Sequence, residues 1–564
     1  MSAQDDPAPP AGQGWWQTGV VYQIYPRSFA DTNGDGIGDL AGILDHLDHL
    51  GGQPDSLGVD AVWLSPFYPS PDFDFGYDVA DYVGVDPRFG SIEDFERLVE
   101  GCHRRGMKVV IDLVLNHSSS QHAWFEASRA SRSGPYADWY IWRDAPGRSR
   151  TGGRRPPNNW RSYFGGSAWT WDATREQFYL HTFLPEQPDL NWRSPAVREA
   201  LLGVVRTWLN RGVDGFRLDV FNTFFKDEQL RSNPRRVGRR GMWSWQRHLY
   251  DRNQPELQDL LRELRGIVDE RSGRMTVGEL FDGSLVDAAP LIRPGHLVFD
   301  WTLIRLTWSA AVFRRAIEAR DAAFGPQPWP ANVLSNHDQP RHASWFEPGH
   351  GRGTVALAGR TADIGDARAK VAATMLLTLR GTPFLYYGEE IGLRNLSIPN
   401  EQALDPPARR ANALFPWWNR DQARGPMPWS GGPGAGFSTG RPWLPLPPDA
   451  GRRNVAQQAA DPGSVLNTYR HLLRLRRATR ALRSGDQQLV SQRDPDALAY
   501  VRHEVDSAAF VALNFGSRPV TVSVPAAPGQ GPWRVAFSTT GRASGADLSG
   551  DVTLAPLEAL VATA

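Results

Sequence analysis

Eight short apolar runs with strand character alternate along the chain with amphipathic helical patterns. This alternation is typical of parallel strands joined by crossover helices. The predicted strands cover 19–25, 61–64, 108–113, 215–220, 275–280, 297–301, 332–335 and 383–387. The count of eight favours a closed (β/α)8 TIM barrel over an open doubly wound sheet, so the fold class is α/β. A barrel places its functional site at the carboxyl ends of the strands.

Two long connections and a change of pattern predict further units. The connection 118–190 after the third strand is too long for a simple loop and is rich in Trp, Tyr, Gly and Pro, so we expect an inserted subdomain there. A smaller insertion, 394–454, follows the eighth strand. Short alternating strands separated by Gly, Pro and Ser turns predict a C-terminal antiparallel β-sandwich over 486–564. The remaining units are the barrel, 15–117 and 191–485, and a flexible N-terminal tail, 1–14.

Charge and hydropathy exclude several function classes. The chain contains 62 Lys and Arg residues and 62 Asp and Glu residues. It therefore lacks the excess of basic residues found in proteins that bind nucleic acid or anionic membranes. The longest apolar stretch, 371–388, is interrupted by Arg380, Gly381 and Pro383. Residues 1–14 lack the basic start and apolar centre of a signal peptide. We expect a cytoplasmic protein, monomeric or weakly homo-oligomeric, with no nucleic-acid or membrane partner.

Four carboxylates end or follow predicted buried strands: Asp112, Asp219, Glu279 and Asp338. An ionisable group at such a place is costly unless it is used or paired. One alone is readily explained as a solvated strand end or a structural ion pair. All four, each with Arg or His nearby in the sequence or on a neighbouring strand, favour a catalytic site.

The residue types narrow the reaction. A pair of carboxylates without a nucleophile elbow or a phosphate loop suits glycoside hydrolysis, in which one carboxylate attacks and a protonated one serves the leaving oxygen. Arg217, two residues from Asp219 on the same strand face, is expected to hold Asp219 ionised. Glu279 has no basic neighbour in its apolar run, so burial is expected to raise its pKa toward that of a general acid.

Motifs spread over almost the whole chain resemble one enzyme family. They are VVYQIYPRSF, NGDGIGDLAGI, DFGYDV, DLVLNH, QPDLNW, GFRLDV, GEL, SNHDQPR and RDQARGPMPW. In this order they resemble glycoside hydrolase family 13, the α-amylase family, and within it the α-glucosidase and oligo-1,6-glucosidase branch. The resemblance implies a retaining enzyme in which Asp219 is the nucleophile, Glu279 the acid/base, and Asp338 the residue that grips the sugar hydroxyls as the ring distorts.

The same resemblance implies an exo-acting pocket for the terminal glucose of short α-glucoside oligosaccharides. Asp74 and Arg424 match positions that bind the terminal sugar in this branch. Phe164 and Phe183 match aromatics of the pocket wall, although either could instead pack the core, and Gln187 is a candidate at the pocket mouth. The implied substrate-binding residues are Asp74, Tyr77, His117, Phe164, Phe183, Gln187, Arg217, His337 and Arg424.

The loop DTNGDGIGDL predicts a metal site made of hard oxygen ligands. Its donors are Asp31, Asn33, Asp35, the Ile37 carbonyl and Asp39. The spacing follows an EF-hand loop but departs from it at the twelfth position, which is a glycine. The resembled branch carries Ca²⁺ here, so a structural Ca²⁺ is expected, and no organic cofactor; a turn stabilised by its own side chains is the alternative.

The sequence is also compatible with other functions. A glucosyl transferase or isomerase uses the same carboxylates, with a sugar hydroxyl intercepting the covalent intermediate before water does. Non-catalytic relatives that serve as heavy chains of amino-acid transporters lose carboxylates and carry a membrane helix, whereas this chain keeps all three carboxylates. A barrel metal site is a further alternative, since His117 and His337 lie near strand ends. Linkage preference also stays open, because Val220 favours α-1,6 cleavage while the following FNTFFKDEQLRSNP resembles enzymes active on α-1,4 links.

Overall fold

The computed structural model describes residues 14–148, 152–236, 243–281, 290, 296–325, 329–348, 360–410, 419–528 and 532–564. All predicted site residues fall within these ranges. The predicted tail, 1–14, lies outside the described residues apart from Gly14.

Eight parallel strands close into a barrel, which confirms the predicted fold class. They are β1 (Val21–Ile24), β2 (Ala61–Leu64), β3 (Lys108–Leu113), β7 (Gly215–Leu218), β8 (Met275–Gly278), β9 (Leu297–Asp300), β10 (Ala331–Val333) and β11 (Thr382–Tyr386). Pairing of β1 with both β2 and β11 closes the barrel. Nearly every residue in these strands is buried, as expected where helices cover a parallel sheet.

The helices begin and end where the sequence supplies caps. Ser91 caps one helix by accepting from the Asp94 N–H, and the Ser91 N–H donates to the Asp94 carboxylate at 2.8 Å. Pro195 occupies the first position of another. The helices are α1 (Trp15–Thr18), α2 (Leu40–Asp45), α3 (Leu47–Leu50), α4 (Ile92–Arg104), α5 (Ala123–Ala130), α6 (Pro195–Asn210), α7 (Leu257–Asp269), α8 (Ala310–Phe324), α9 (His342–Trp345), α10 (Arg360–Thr378), α11 (Pro406–Arg410), α12 (Val455–Ala460), α13 (Val465–Ala478) and α14 (Arg480–Ser484). None of those described is long and apolar enough to cross a membrane.

The inserted subdomain after β3 holds a small antiparallel sheet. Its strands are β4 (Trp142–Arg143), β5 (Trp169–Asp172) and β6 (Gln177–Leu180), in the order β4-β6-β5. An antiparallel bridge between His117 and Asp189 joins the two ends of the insertion where it leaves the barrel. The insertion therefore stands over the carboxyl end of β3.

The C-terminal residues form two antiparallel sheets, as predicted. The larger sheet contains β12 (Asp486–Val490), β13 (Ala497–Glu504), β14 (Ser507–Asn514), β16 (Trp533–Ser538), β17 (Asp547–Leu548) and β19 (Ala559–Thr563). The smaller contains β15 (Val520–Ser523) and β18 (Asp551–Leu554). Val522 and Leu554 of the small sheet pack in one apolar cluster with Phe510 and Leu560 of the large one, so the two sheets share a core.

The barrel interior changes from apolar to charged toward the carboxyl ends of the strands. Trp63, Phe299 and Phe384 fill its middle, with ring centroids 4.9 to 6.3 Å apart. Above them the Trp63 indole N–H donates to the Asp112 carboxylate at 3.0 Å. Asp112 in turn contacts Arg217, so the charged layer rests directly on the apolar one.

Candidate active site

A cavity of about 470 Å³ lies at the carboxyl ends of the barrel strands. Nine of the twelve residues predicted to be catalytic or substrate-binding line it: Asp74, Tyr77, His117, Phe164, Phe183, Gln187, Asp219, Glu279 and Asp338. The other three are fully buried and contact that lining from behind: Arg217, His337 and Arg424.

Arg217 holds the two central carboxylates together. Asp219 follows β7, Glu279 follows β8, and Arg217 lies opposite Val277 in the parallel pair of these strands. The guanidinium donates through Nη1 to Asp219 at 2.7 Å and through Nη2 to Glu279. Its Nη1 also donates to Asp112, so one buried cation serves three carboxylates.

This arrangement changes the expected environment of Glu279. Its own apolar run holds no basic residue, but Arg217 reaches it from the adjacent strand. Burial raises the pKa of both Asp219 and Glu279, and the charge of Arg217 opposes that rise in each. One cation cannot neutralise three carboxylates. Asp219 and Glu279 can therefore hold one proton between them, which suits a reaction that needs one nucleophile and one acid.

A strained backbone turn connects the two carboxylates. Val220 has φ 38° and ψ 38°, a left-handed conformation that a β-branched residue rarely adopts. Its N–H donates to the Glu279 carboxyl group, and its carbonyl accepts from the Thr223 hydroxyl at 2.7 Å. The turn after Asp219 therefore also orients Glu279.

Asp338 lies between two arginines. Arg424 donates to its Oδ1 at 2.8 Å and Arg420 to the same atom at 3.3 Å. Burial alone would raise its pKa, but His337, Arg420 and Arg424 together lower the pKa well below the usual range of a carboxyl group. Asp338 is therefore an anion suited to accept hydrogen bonds from sugar hydroxyls.

Tyr77 and the two predicted histidines form one buried hydrogen-bonded group. The Tyr77 ring stacks on His337 at 5.4 Å, and the Tyr77 hydroxyl lies 2.6 Å from His337 Nε2. His117 Nε2 lies 3.0 Å from the Tyr77 carbonyl. Burial lowers the pKa of His117 to about 4, so this imidazole is neutral and can bond an uncharged hydroxyl.

Asp74 pairs with Arg420 and not with Arg424, the arginine predicted to bind the terminal sugar together with Asp74. Arg420 Nη2 donates to Asp74 Oδ1 at 2.6 Å and lines the cavity, whereas Arg424 is fully buried and bonds Asp338 and the His337 carbonyl. Both arginines belong to the motif RDQARGPMPW, four residues apart, so the motif contained both candidates.

Gln187 lies deeper than its predicted position at the pocket mouth. The side chain is 1% exposed, and its amide nitrogen donates to Asp74 at 3.2 Å and lies 3.1 Å from His117 Nε2. It therefore links two groups of the cavity floor.

Aromatic side chains form one wall of the cavity. Phe183 packs with Val220 and Phe281 in an apolar cluster that Tyr163 and Phe164 also contact, so Phe164 and Phe183 both line the cavity and pack. The lining residues that the sequence did not single out are Tyr163, Leu280, Phe281, Trp301, Arg305, Gln339 and Arg420. Leu280, Gln339 and Arg420 lie in the motifs GEL, SNHDQPR and RDQARGPMPW, whereas the other four belong to stretches without a distinctive motif and are identified by the fold alone.

The predicted metal loop folds around its own side chains. The Asp31 carboxylate accepts from the N–H groups of Gly34 and Gly36, both at 2.8 Å, and Asp39 caps α2 by accepting from Gly42 at 2.6 Å. Gly36 is required, because a Cβ on it would lie 1.9 Å from the Arg441 carbonyl oxygen. The loop is thus tightly packed against the insertion after β11.

The donor set of this loop fits Ca²⁺ in chemistry, since every donor is a hard oxygen. In the part of the chain that the structure describes, no three carboxylate, histidine or cysteine side chains form a group able to hold a metal. Asp31, Asp35 and Asp39 therefore do not form such a group by themselves, and the Asn33 amide and the Ile37 carbonyl would have to supply part of any site there.

Comparison with known proteins supports the resemblance found in the motifs. The family described as "Alpha amylase, catalytic domain" matches residues 23–485. The chain is 43% identical to a probable alpha-glucosidase of Rhizobium meliloti (strain 1021), covering 91% of both chains. It is 37% identical to an oligo-1,6-glucosidase of Parageobacillus thermoglucosidasius, covering 91% of this chain and 92% of that one.

A solved structure shows the same likeness in three dimensions. The alpha-glucosyl transfer enzyme XgtA superposes with a TM-score of 0.86 at 40% identity, covering 98% of this chain and 99% of that one. With the closed barrel and the Asp219, Glu279 and Asp338 constellation, these matches assign the chain to the alpha-amylase family, glycoside hydrolase family 13.

Proposed function

We propose that this protein is a retaining exo-acting α-glucosidase that releases terminal glucose from short α-linked oligosaccharides. The observation that carries the proposal is the pair of carboxylates, buried Asp219 and partly buried Glu279, held by one guanidinium at a cavity also lined by Asp74 and Arg420. The alpha-glucosidase and oligo-1,6-glucosidase relatives support the same activity.

The chemistry proceeds in two displacements. Protonated Glu279 gives its proton to the glycosidic oxygen while the Asp219 carboxylate attacks the anomeric carbon, so the bond to the leaving sugar breaks as the glucosyl ester forms. Glu279, now a carboxylate, then takes a proton from water as that water attacks the ester carbon. Asp219 leaves as a carboxylate, and glucose departs with its α configuration retained.

The surrounding groups bind the sugar and stabilise charge. Asp338, kept ionised by its arginine partners, accepts hydrogen bonds from ring hydroxyls, which strengthen as the ring distorts. Neutral His117 and the Tyr77 ring contact the same sugar unit. Asp74 and Arg420 receive the non-reducing end, which makes the enzyme exo-acting.

Asp219→Asn tests this assignment. The amide cannot attack the anomeric carbon, so hydrolysis of short α-glucosides should be lost almost completely while the melting temperature stays near that of the wild type. Wild-type product should appear first as α-glucose in a polarimetric or NMR assay. Substantial turnover by folded Asp219→Asn, or initial release of β-glucose, would contradict the mechanism.

Glucosyl transfer is the second candidate, favoured by the likeness to an alpha-glucosyl transfer enzyme over nearly the whole chain. It uses the same covalent intermediate, with an acceptor hydroxyl in place of water. Product analysis on a panel of α-linked disaccharides at rising acceptor concentration separates the two. Glucose alone supports hydrolysis, and new disaccharides or trisaccharides support transfer.

The proposal also includes a structural Ca²⁺ in the loop of Asp31, Asn33, Asp35, Ile37 and Asp39. The ion would tighten a loop that meets the insertion after β11, where Ser438 donates to Asp31 at 2.5 Å. Because that insertion carries Arg420, the ion supports the site indirectly and takes no part in the chemistry.

A cytoplasmic location and a monomeric or weakly homo-oligomeric state complete the proposal. Cell fractionation tests the location, and light scattering tests the oligomeric state.

A further inference from the structure

Asp405 is a fully buried carboxylate that lies outside the cavity and binds Arg420 from behind. Its Oδ1 accepts from Arg420 Nε at 3.0 Å and from Nη2 at 2.7 Å. Its Oδ2 accepts from the Arg420 backbone N–H at 3.1 Å. One carboxylate therefore fixes both the main chain and the side chain of this arginine.

Arg420 also lines the cavity and bonds two of its carboxylates. There Nη2 donates to Asp74 at 2.6 Å and Nη1 donates to Asp338 at 3.3 Å. The guanidinium carbon lies 5.3 Å from the centre of the Phe164 ring. Arg420 thus stands between two carboxylates that line the cavity and one that does not.

The position of Arg420 depends on a balance among these three carboxylates. Nη2 is shared by Asp74 and Asp405, so the two carboxylates compete for the same donor group. Without the charge of Asp405, the guanidinium would be drawn onto Asp74 and Asp338. Those carboxylates would then be less free to accept hydrogen bonds from sugar hydroxyls.

Asp405 is itself held by its neighbours. Its backbone N–H donates to Asp421 Oδ2 at 3.0 Å. Asp421 lies next to Arg420 in sequence, so the segment around Asp405 and the segment around Arg420 are tied together twice. This rigid arrangement suits a residue that sets the place of another.

We infer that Asp405 is a positioning residue for substrate recognition, which holds Arg420 where Asp74, Asp338 and Arg420 can together receive the terminal sugar. The inference rests on the proposed exo-α-glucosidase function. Asp405 touches no reacting atom, so its effect falls on binding of the terminal sugar more than on bond cleavage.

The test is Asp405→Asn, assayed with maltose and with glucose as a competitive inhibitor. We expect KM for maltose and Ki for glucose to rise about tenfold, with kcat changed less than about threefold. In an Arg420→Ala background the same substitution should cause no further rise, because Asp405 acts through Arg420. Asp449→Asn is the matched control, since it breaks another ion pair of the same insertion, with Arg453 at 2.7 Å, and should leave KM and Ki unchanged.

Wild-type KM and Ki in folded Asp405→Asn would overturn the inference, and so would an equal rise with and without Arg420. Should Asp405→Asn fail to fold, Asp405→Glu retains the charge but displaces the carboxylate, and a raised KM at an unchanged melting temperature supports the inference. An unchanged KM in that variant refutes it. Failure of the proposed function is distinct, because the wild type itself would then leave short α-glucosides intact.

Discussion

Replacing Asp112 by Asn tests how three carboxylates share Arg217. Asp112 lines no part of the cavity, yet it is fully buried and accepts from Arg217 and from the Trp63 indole N–H. Burial raises the pKa of Asp112 to about 6, so above that pH its charge faces the catalytic pair. Removing the charge should lower the pKa of Glu279 and leave Arg217 free to act on Asp219 and Glu279 alone.

The size of the shift follows from the geometry of one guanidinium. Carboxylates bonded to its two terminal nitrogens are roughly 6 Å apart, and at an effective dielectric of about 20 two like charges at that distance repel by about 3 kcal/mol, or ~2 pKa units. Local relaxation reduces this value, so we expect a shift of at least about one unit.

The size of the expected shift differs between the two limbs of the pH–rate profile. The alkaline limb reports loss of the proton from Glu279, at a pH where wild-type Asp112 is ionised, so Asp112→Asn should move it to lower pH. Toward acid pH wild-type Asp112 becomes protonated and resembles the amide, so the acidic limb should move less. The assay is kcat/KM for a short α-glucoside across the pH range.

A stability control accompanies this assay. The Asn amide has one oxygen for two donors, Trp63 and Arg217, and the mismatch should lower the free energy of unfolding by about 1–3 kcal/mol. Asp300→Asn is the matched variant, because Asp300 is also buried at the end of a barrel strand but bonds Thr302 at 2.9 Å and not Arg217. If the alkaline limb of kcat/KM lies at the same pH in the wild type and in folded Asp112→Asn, the charge of Asp112 does not act on Glu279, and the reasoning from a shared Arg217 is refuted.

Two further predictions concern specificity and the metal loop. Val220→Ala should shift the kcat/KM ratio toward maltose and away from isomaltose, because Ala lacks the β-branched side chain that, beside Asp219, favours the longer α-1,6 link by ~1–3 kcal/mol; an unchanged ratio would show that Val220 only packs against its neighbours. Chelation of Ca²⁺ should lower the melting temperature with little loss of rate well below it, because an ion that binds only the folded state stabilises that state by mass action. Rapid loss of rate in a folded, chelated enzyme would make the metal catalytic.

The barrel was predictable because its strands are local features. Each is a short buried run, and the observed ends differ from the predicted ones by no more than two residues. Carboxylates at the ends of such runs must meet at one end of a barrel, so Asp219, Glu279 and Asp338 could be placed together before any contact was known.

The charge relations within the site were decided only by tertiary structure. The sequence pairs Arg217 with Asp219 because they are two residues apart, but it does not reveal that Glu279 and Asp112 share the same guanidinium. That contact depends on which strands are neighbours and on their register, here Arg217 opposite Val277. Burial and shared charge then set the pKa of each group.

The partners of Arg420 illustrate the same limit. A motif fixed two arginines four residues apart, and only the path of the insertion after β11 decided that Arg420 meets Asp74 while Arg424 turns to Asp338. Likewise, Gln187 is buried because the inserted subdomain folds over the end of β3. Local patterns and motifs of the sequence were enough to predict the barrel and to bring Asp219, Glu279 and Asp338 to one end of it. The tertiary structure decided which charges share a partner, because such contacts join residues far apart in the chain.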